Sequence, residues 1–199
     1  MVEFRILLLQ KAIIFLVAAI LPVFTLASDF RQTQTIAKEG DAEAEYNLGV
    51  LYSKGRGVSQ DFAMAAKWYM KAANQGLAEA QTNLGTLYRN GEGVPQNYSK
   101  AAELYRKAAN QGLAMAQVSL GVLYSNGLGV RQDFEQARQW YEKAANQGSV
   151  EAQYNLGITY IKGAGVRQDW ATAKKWFGKS CDNGSQKGCN NYLMLNQNY

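Results

Sequence analysis

Four short loops of this chain carry glycines in a pattern that could, in another setting, hold a phosphate: "GRGVSQ" at 55–60, "GEGVPQ" at 91–96, "GLGVRQ" at 127–132 and "GAGVRQ" at 163–168. A phosphate cradle needs backbone N–H groups converging where a strand passes into a helix, with further glycine to let the anion approach. Here the flanking patterns are helical on both sides and the third glycine is missing, so the loops read as helix-to-helix turns. The chain of 199 residues has no histidine, which removes the commonest general base and the commonest neutral metal ligand. Serine–histidine and cysteine–histidine catalysis are excluded, and no metal site or cofactor is expected. The formal charge of +5 is spread among acids, with no run of Lys or Arg of the nucleic-acid-binding kind.

The elements that position these loops are set by a repeat. "KAANQG" recurs at 71–76, 107–112 and 143–148, with a degenerate copy, "KSCDNG", at 179–184. Stacked at a period of 36, residues 41–76, 77–112, 113–148 and 149–184 align without a gap. Such self-similarity marks a solenoid built from one supersecondary unit. In each unit the first half has apolar residues at helical spacing (Ala44, Leu48, Leu51, Tyr52). Gly55 and Gly57 stop that helix. Asp61, and Asn97, Asp133 and Asp169 after it, stand where a side chain caps the second helix. The second helix is expected to bury Phe62, Ala65, Trp68, Tyr69 and Ala72, and Gly76 to end it. "KAANQG" is therefore a helix end and a tight turn. The mid-helix glycines Gly49, Gly85, Gly121 and Gly157 cost about 1 kcal/mol each relative to alanine, and close approach of a neighbouring helix is the expected compensation.

The pattern A-x-x-x-L-G-x-x-Y-x-x-G-x-G-V-x-Q-D, followed by A-x-x-W-Y-x-K-A-A-x-Q-G, resembles the Sel-1-like repeat, a relative of the tetratricopeptide repeat. The resemblance covers residues 41–184. It implies an all-α, right-handed solenoid whose first helices line a concave face, and a protein that holds other proteins. Some members are adaptors in signalling, secretion, polysaccharide export and host interaction; others are periplasmic antagonists of toxic effector enzymes.

Residues 1–27 read as a signal peptide: Arg5 and Lys11, an uncharged run from Ala12 to Ala27, then small residues at Thr25 and Ala27 that suit cleavage. An uncleaved anchor is the alternative, although Pro22 interrupts a run shorter than the ~20 residues that span a bilayer. A periplasmic or secreted protein without stable membrane insertion is expected. Residues 28–40 align with the second half of a repeat and 185–199 with the first half of another, so both are expected to be helical caps on the solenoid ends. Cys181 and Cys189 lie on either side of the turn at Gly184, and antiparallel helices there bring them within disulfide range. The spacing also resembles that of the cysteine-rich members of the family.

Comparison of the four units separates shared architecture from freedom to serve a partner. Positions 3, 6, 10 and 13 of the first helix diverge, and helical spacing puts them on one stripe. In the family that stripe lines the groove. The expected partner-binding residues are Tyr46, Val50, Thr82, Thr86, Arg89, Val118, Val122, Tyr154, Ile158 and Ile161, with Val and Ile packing between first helices as the alternative. Two function classes follow. The chain is a monomeric scaffold for a protein or peptide, or, in a variant of that class, an immunity protein that neutralises an effector enzyme. The other class is an enzyme, because some relatives were proposed as β-lactam hydrolases. No serine here is followed by lysine three residues later, so the S-x-x-K tetrad of that chemistry is absent.

Overall fold

A computed structural model describes residues 29–198, so the expected signal segment 1–27 lies outside the described residues. Helix α1 covers residues 29–38. It is followed by α2 (Ala42–Lys54), α3 (Phe62–Asn74), α4 (Ala78–Asn90), α5 (Tyr98–Asn110), α6 (Ala114–Asn126), α7 (Phe134–Asn146), α8 (Val150–Lys162), α9 (Trp170–Asp182) and α10 (Gln186–Asn198). Among the described residues there is no strand. The chain divides after Gln75 into two compact units, the first holding α1–α3 and the second α4–α10. Within each, successive helices pack on one another as a repeat solenoid.

The punctuation works as the repeat implies. The side chains of Asp61, Asn97, Asp133 and Asp169 accept hydrogen bonds from the N–H groups of Met64, Lys100, Gln136 and Thr172, which satisfies donors that the first turn of a helix leaves free. At Asp169 the Thr172 hydroxyl adds a 2.6 Å hydrogen bond, and this interaction leads in holding the carboxyl below its ordinary range. One expectation needs correction. Phe62 is only partly buried, and its counterpart Phe134 is 40% exposed, because the first residue of the second helix sits at the rim of the packed layer.

In the first unit, Phe30 and Ala37 of α1 pack against Ala44, Leu48 and Trp68, and the Phe30 ring meets Tyr52 edge-on. In the second unit one cluster joins Val118, Tyr141 and Leu156, and another joins Ala173 and Phe177 to Leu195 of α10. The mid-helix glycines face the aromatic ring of their own second helix. A Cβ on Gly121 would lie 2.6 Å from Tyr141 Cε1, and one on Gly157 would lie 2.5 Å from Phe177 Cε1. The loop glycine Gly165 combines φ +68° with a stricter contact: a Cβ there would meet the Phe134 carbonyl carbon at 2.5 Å.

The glutamine of "KAANQG" does more than end a helix. Gln147 Nε2 donates to the carbonyl of Gly112, 35 residues back, at 2.9 Å and to Gln117 Oε1, 30 residues back, at 2.9 Å. Gln111 repeats the pair with Gly76 and Gln81, and Gln75 with Gly40 and the buried Glu45. Each turn is thus tied to the one before it. Gln147→Ala is expected to lower stability by about 1 kcal/mol, since it leaves the buried Gln117 oxygen without that donor. A lower urea midpoint with an unchanged slope checks this.

Cys181 and Cys189 form a disulfide with Cα atoms 4.5 Å apart, which joins α9 to α10. Closing so short a loop limits the unfolded chain, and Cys181→Ala is expected to cost about 2–3 kcal/mol. The loss should show first as faster amide hydrogen exchange in α10.

Candidate functional site

The divergent stripe meets the ring at position 29 of its own repeat. Where that ring is tyrosine, the stripe supplies a hydroxyl. Ser53 Oγ lies 3.1 Å from the Tyr69 hydroxyl and Thr86 Oγ1 lies 3.0 Å from that of Tyr105, while Ser125 hydrogen-bonds Tyr141. Ser119 of α6 acts in the same sense as Thr86 on the Tyr105 phenol, each favouring its ionised form. Burial pushes the Tyr105 and Tyr141 phenols above their ordinary pKa. Where the ring is Phe177, which has no hydroxyl, the stripe is apolar: Ile158 and Ile161 pack beside it, and Tyr154 is tilted against it at 5.6 Å between ring centroids.

The ten stripe residues fall into different settings. Thr82 and Val118 are buried, the Thr82 hydroxyl donating to the carbonyl of Ala78. Tyr46, Val50, Thr86, Arg89, Val122, Tyr154, Ile158 and Ile161 are partly exposed. Tyr46 rests on Tyr69, at 5.8 Å between ring centroids, in the first unit. Arg89 reaches back to Asn90, Nε donating to Oδ1 at 3.2 Å.

Within the second unit, Val122 and Ile158 come together as the floor of a hollow of about 250 Å³ between α6, α7 and α8. Phe134 forms one wall. Asn126, Asn155 and Lys162 stand round it, with the Tyr141 ring below. No carboxylate lines it. The Asn126 amide donates to the carbonyl of Val122 at 2.8 Å, whereas the Asn155 amide and the Lys162 ammonium have no partner among the described residues. An apolar floor with amide and ammonium groups above it can seat a side chain and orient it. It holds no nucleophile paired with a base.

Divergence between repeats did not reveal Phe134, Asn126, Asn155 or Lys162. Asn155 has counterparts at Asn47 and Asn83, and Lys162 at Lys54. Near-identity at position 7 hid Asn155, whereas position 14 is shared between Lys and Asn and position 22 is always aromatic. Helical spacing held the signal, since positions 7, 10 and 14 share a face.

The Sel1 repeat profile matches residues 42–77, 78–113, 114–149 and 150–185. The chain belongs to the Sel1 repeat family. Two solved structures of Sel1 type are similar to it. One is c5321, a protective antigen of uropathogenic Escherichia coli described as displaying an SLR fold, at 39% identity and a TM-score of 0.78. That alignment covers 81% of this chain and 34% of c5321. The other is a Sel1 repeat protein from Oxalobacter formigenes, at 37% identity and a TM-score of 0.76, covering 79% of this chain and 63% of that one. The chain thus spans about a third of the first relative's length and just under two thirds of the second's. The immunity protein Pa5087 of Pseudomonas aeruginosa shares the fold at 24% identity and a TM-score of 0.55, over 82% of this chain and 60% of Pa5087. Comparison with curated proteins gives no match. Sel1 repeats are in general a non-catalytic protein-interaction scaffold.

Proposed function

We propose that this Sel1 repeat chain is an exported, monomeric module that holds one protein or peptide partner, and that the hollow over Val122 and Ile158 takes an anchoring side chain of that partner. The observation that supports it most is the hollow itself, an apolar floor left open beneath an unengaged amide and an unengaged ammonium. Affinity at interfaces concentrates in such desolvated anchor pockets. The remaining exposed stripe residues of the second unit, Thr86, Arg89, Tyr154 and Ile161, would flank the anchor, and Tyr46 and Val50 are the corresponding candidates on the first unit taken by itself. Thr82 and Val118 would support the face from beneath. Export fits the apolar leader at 1–27 and the disulfide, which persists in oxidising compartments. No helix among the described residues is long and apolar enough to cross a membrane. Residues 28–40 and 185–199 would cap the four repeats.

The test is quantitative capture on the mature chain, with bound proteins identified by mass spectrometry. Asn126→Trp, which fills the hollow from its exposed rim, should weaken retention of the partner by about 1–3 kcal/mol and leave the melting temperature unchanged. Leu120→Ala, in the core, should do the reverse and lower stability by about 2–5 kcal/mol. Equal retention by the wild type and Asn126→Trp would sink the proposal. An effector enzyme among the retained proteins would turn the reading toward an immunity role, for which likeness to Pa5087 offers the fold alone.

A further inference from the structure

We infer that the partner segment carries a carboxylate beside the apolar side chain that enters the hollow; this rests on the proposed function and names the chemistry of its occupant. Lys162 is the only charged group among the lining residues, and it forms no ion pair among the described residues. Its placement in the last turn of α8 has a plain structural use, because a cation there complements the helix dipole. That dipole end amounts to roughly half a negative charge. The full charge of the ammonium therefore exceeds what the end of its own helix offsets. Glu151, in the first turn of the same helix, stands eleven residues away, about 16 Å along the axis at about 1.5 Å per residue. That distance screens it from the ammonium at physiological salt. Glu151 lies one turn from Asn155 and its charge is felt at the Tyr141 phenol, so the ammonium and not the amide is the group that draws an anion. The Asn155 amide, also unengaged, is a donor on the same rim and suits the second oxygen of a carboxylate or the adjoining peptide carbonyl. A basic flank would place like charges together over Lys162, and a neutral flank would leave it unused.

The test uses three fluorescein-labelled peptides that share a central Leu-Phe pair and differ only in flanks of glutamate, glutamine or lysine, read by fluorescence anisotropy. The glutamate-flanked peptide should bind about three- to fivefold more tightly than the glutamine-flanked one, the range for an exposed ion pair, and the lysine-flanked one should bind weakest. The spread should shrink at high salt. In Lys162→Glu the order of the glutamate and lysine peptides should reverse. In Lys175→Glu, which alters net charge equally from an exposed site on α9 outside the hollow, the original order should remain. Equal binding of the glutamate and glutamine peptides, an unchanged order in Lys162→Glu, or no binding by any peptide would overturn the inference. Asn126→Trp separates the two levels. If it melts normally and binds all three as the wild type does, the hollow is not the site and the proposed function falls as well. If it abolishes binding while the flanks make no difference, the site stands and the carboxylate does not.

Discussion

Tyr105→Ala is expected to destabilise the second unit by about 3–5 kcal/mol, the range for removing a fully buried aromatic side chain. Tyr105 has 0% exposure, and its ring fills the space over Gly85, where a Cβ would come within 2.9 Å of Cε1. Its hydroxyl lies 3.0 Å from Thr86 Oγ1 of α4. Truncation therefore opens a cavity and removes the bond to Thr86, whose hydroxyl keeps the Thr82 carbonyl as its partner. Tyr105→Phe keeps the ring and should cost only about 1 kcal/mol, the net worth of a buried hydrogen bond. Alkaline behaviour should separate the two contributions. Burial raises the Tyr105 pKa, so the folded state holds its proton more tightly than the unfolded state. This stability is complete below the ordinary phenol value of about 10 and is lost as pH rises through the raised one. Tyr105→Phe should lack that part of the alkaline loss, as measured by urea midpoints at successive pH values.

Gly121→Ala should also destabilise, by about 1–2 kcal/mol net, although propensity alone argues the other way. Alanine is worth about 1 kcal/mol more than glycine in a helix interior. The new Cβ, however, would stand 2.6 Å from Cε1 and 2.8 Å from Cδ1 of Tyr141, a buried ring that would have to shift. Overpacking a filled core costs about 1–3 kcal/mol and more where backbone must move. The clash should win. In a Tyr141→Leu background, where a smaller side chain leaves room, the same substitution should lose most of its cost. Equal effects in the two backgrounds would show that the ring is not the reason for the glycine.

Much of the fold was legible because a gapless period of 36 repeats every signal four times. The capping residues at Asp61 and its counterparts, the helix pairs and the Cys181–Cys189 bond all lie where spacing put them. The candidate site was less legible for a physical reason. Divergence between repeats marks freedom to meet a partner, yet positions 10 and 13 also answer to the ring at position 29. Ser53, Thr86 and Ser125 serve phenols, whereas Ile158 and Ile161 accompany Phe177. Conversely, Asn155 reaches the hollow from a position that is Asn in three of the four units, and Lys162 from one shared evenly between Lys and Asn. Gln147 carried a long-range bond that a local reading of "KAANQG" could not contain, because its acceptors belong to the preceding repeat.

That glutamine bond also limits how a gene for such a chain can change length. Each glutamine must find one acceptor 30 residues back and another 35 residues back. Deleting or inserting a single codon inside either of the intervening helices turns the residues beyond it by about 100° relative to those before it and moves the donor away from its acceptors. Small slips that a surface loop absorbs elsewhere are costly here. A duplication or loss of 36 codons, by contrast, returns every donor to an equivalent acceptor. Length in this architecture is quantised, and unequal crossing-over between like units is the mutational event that the hydrogen-bond ladder forgives.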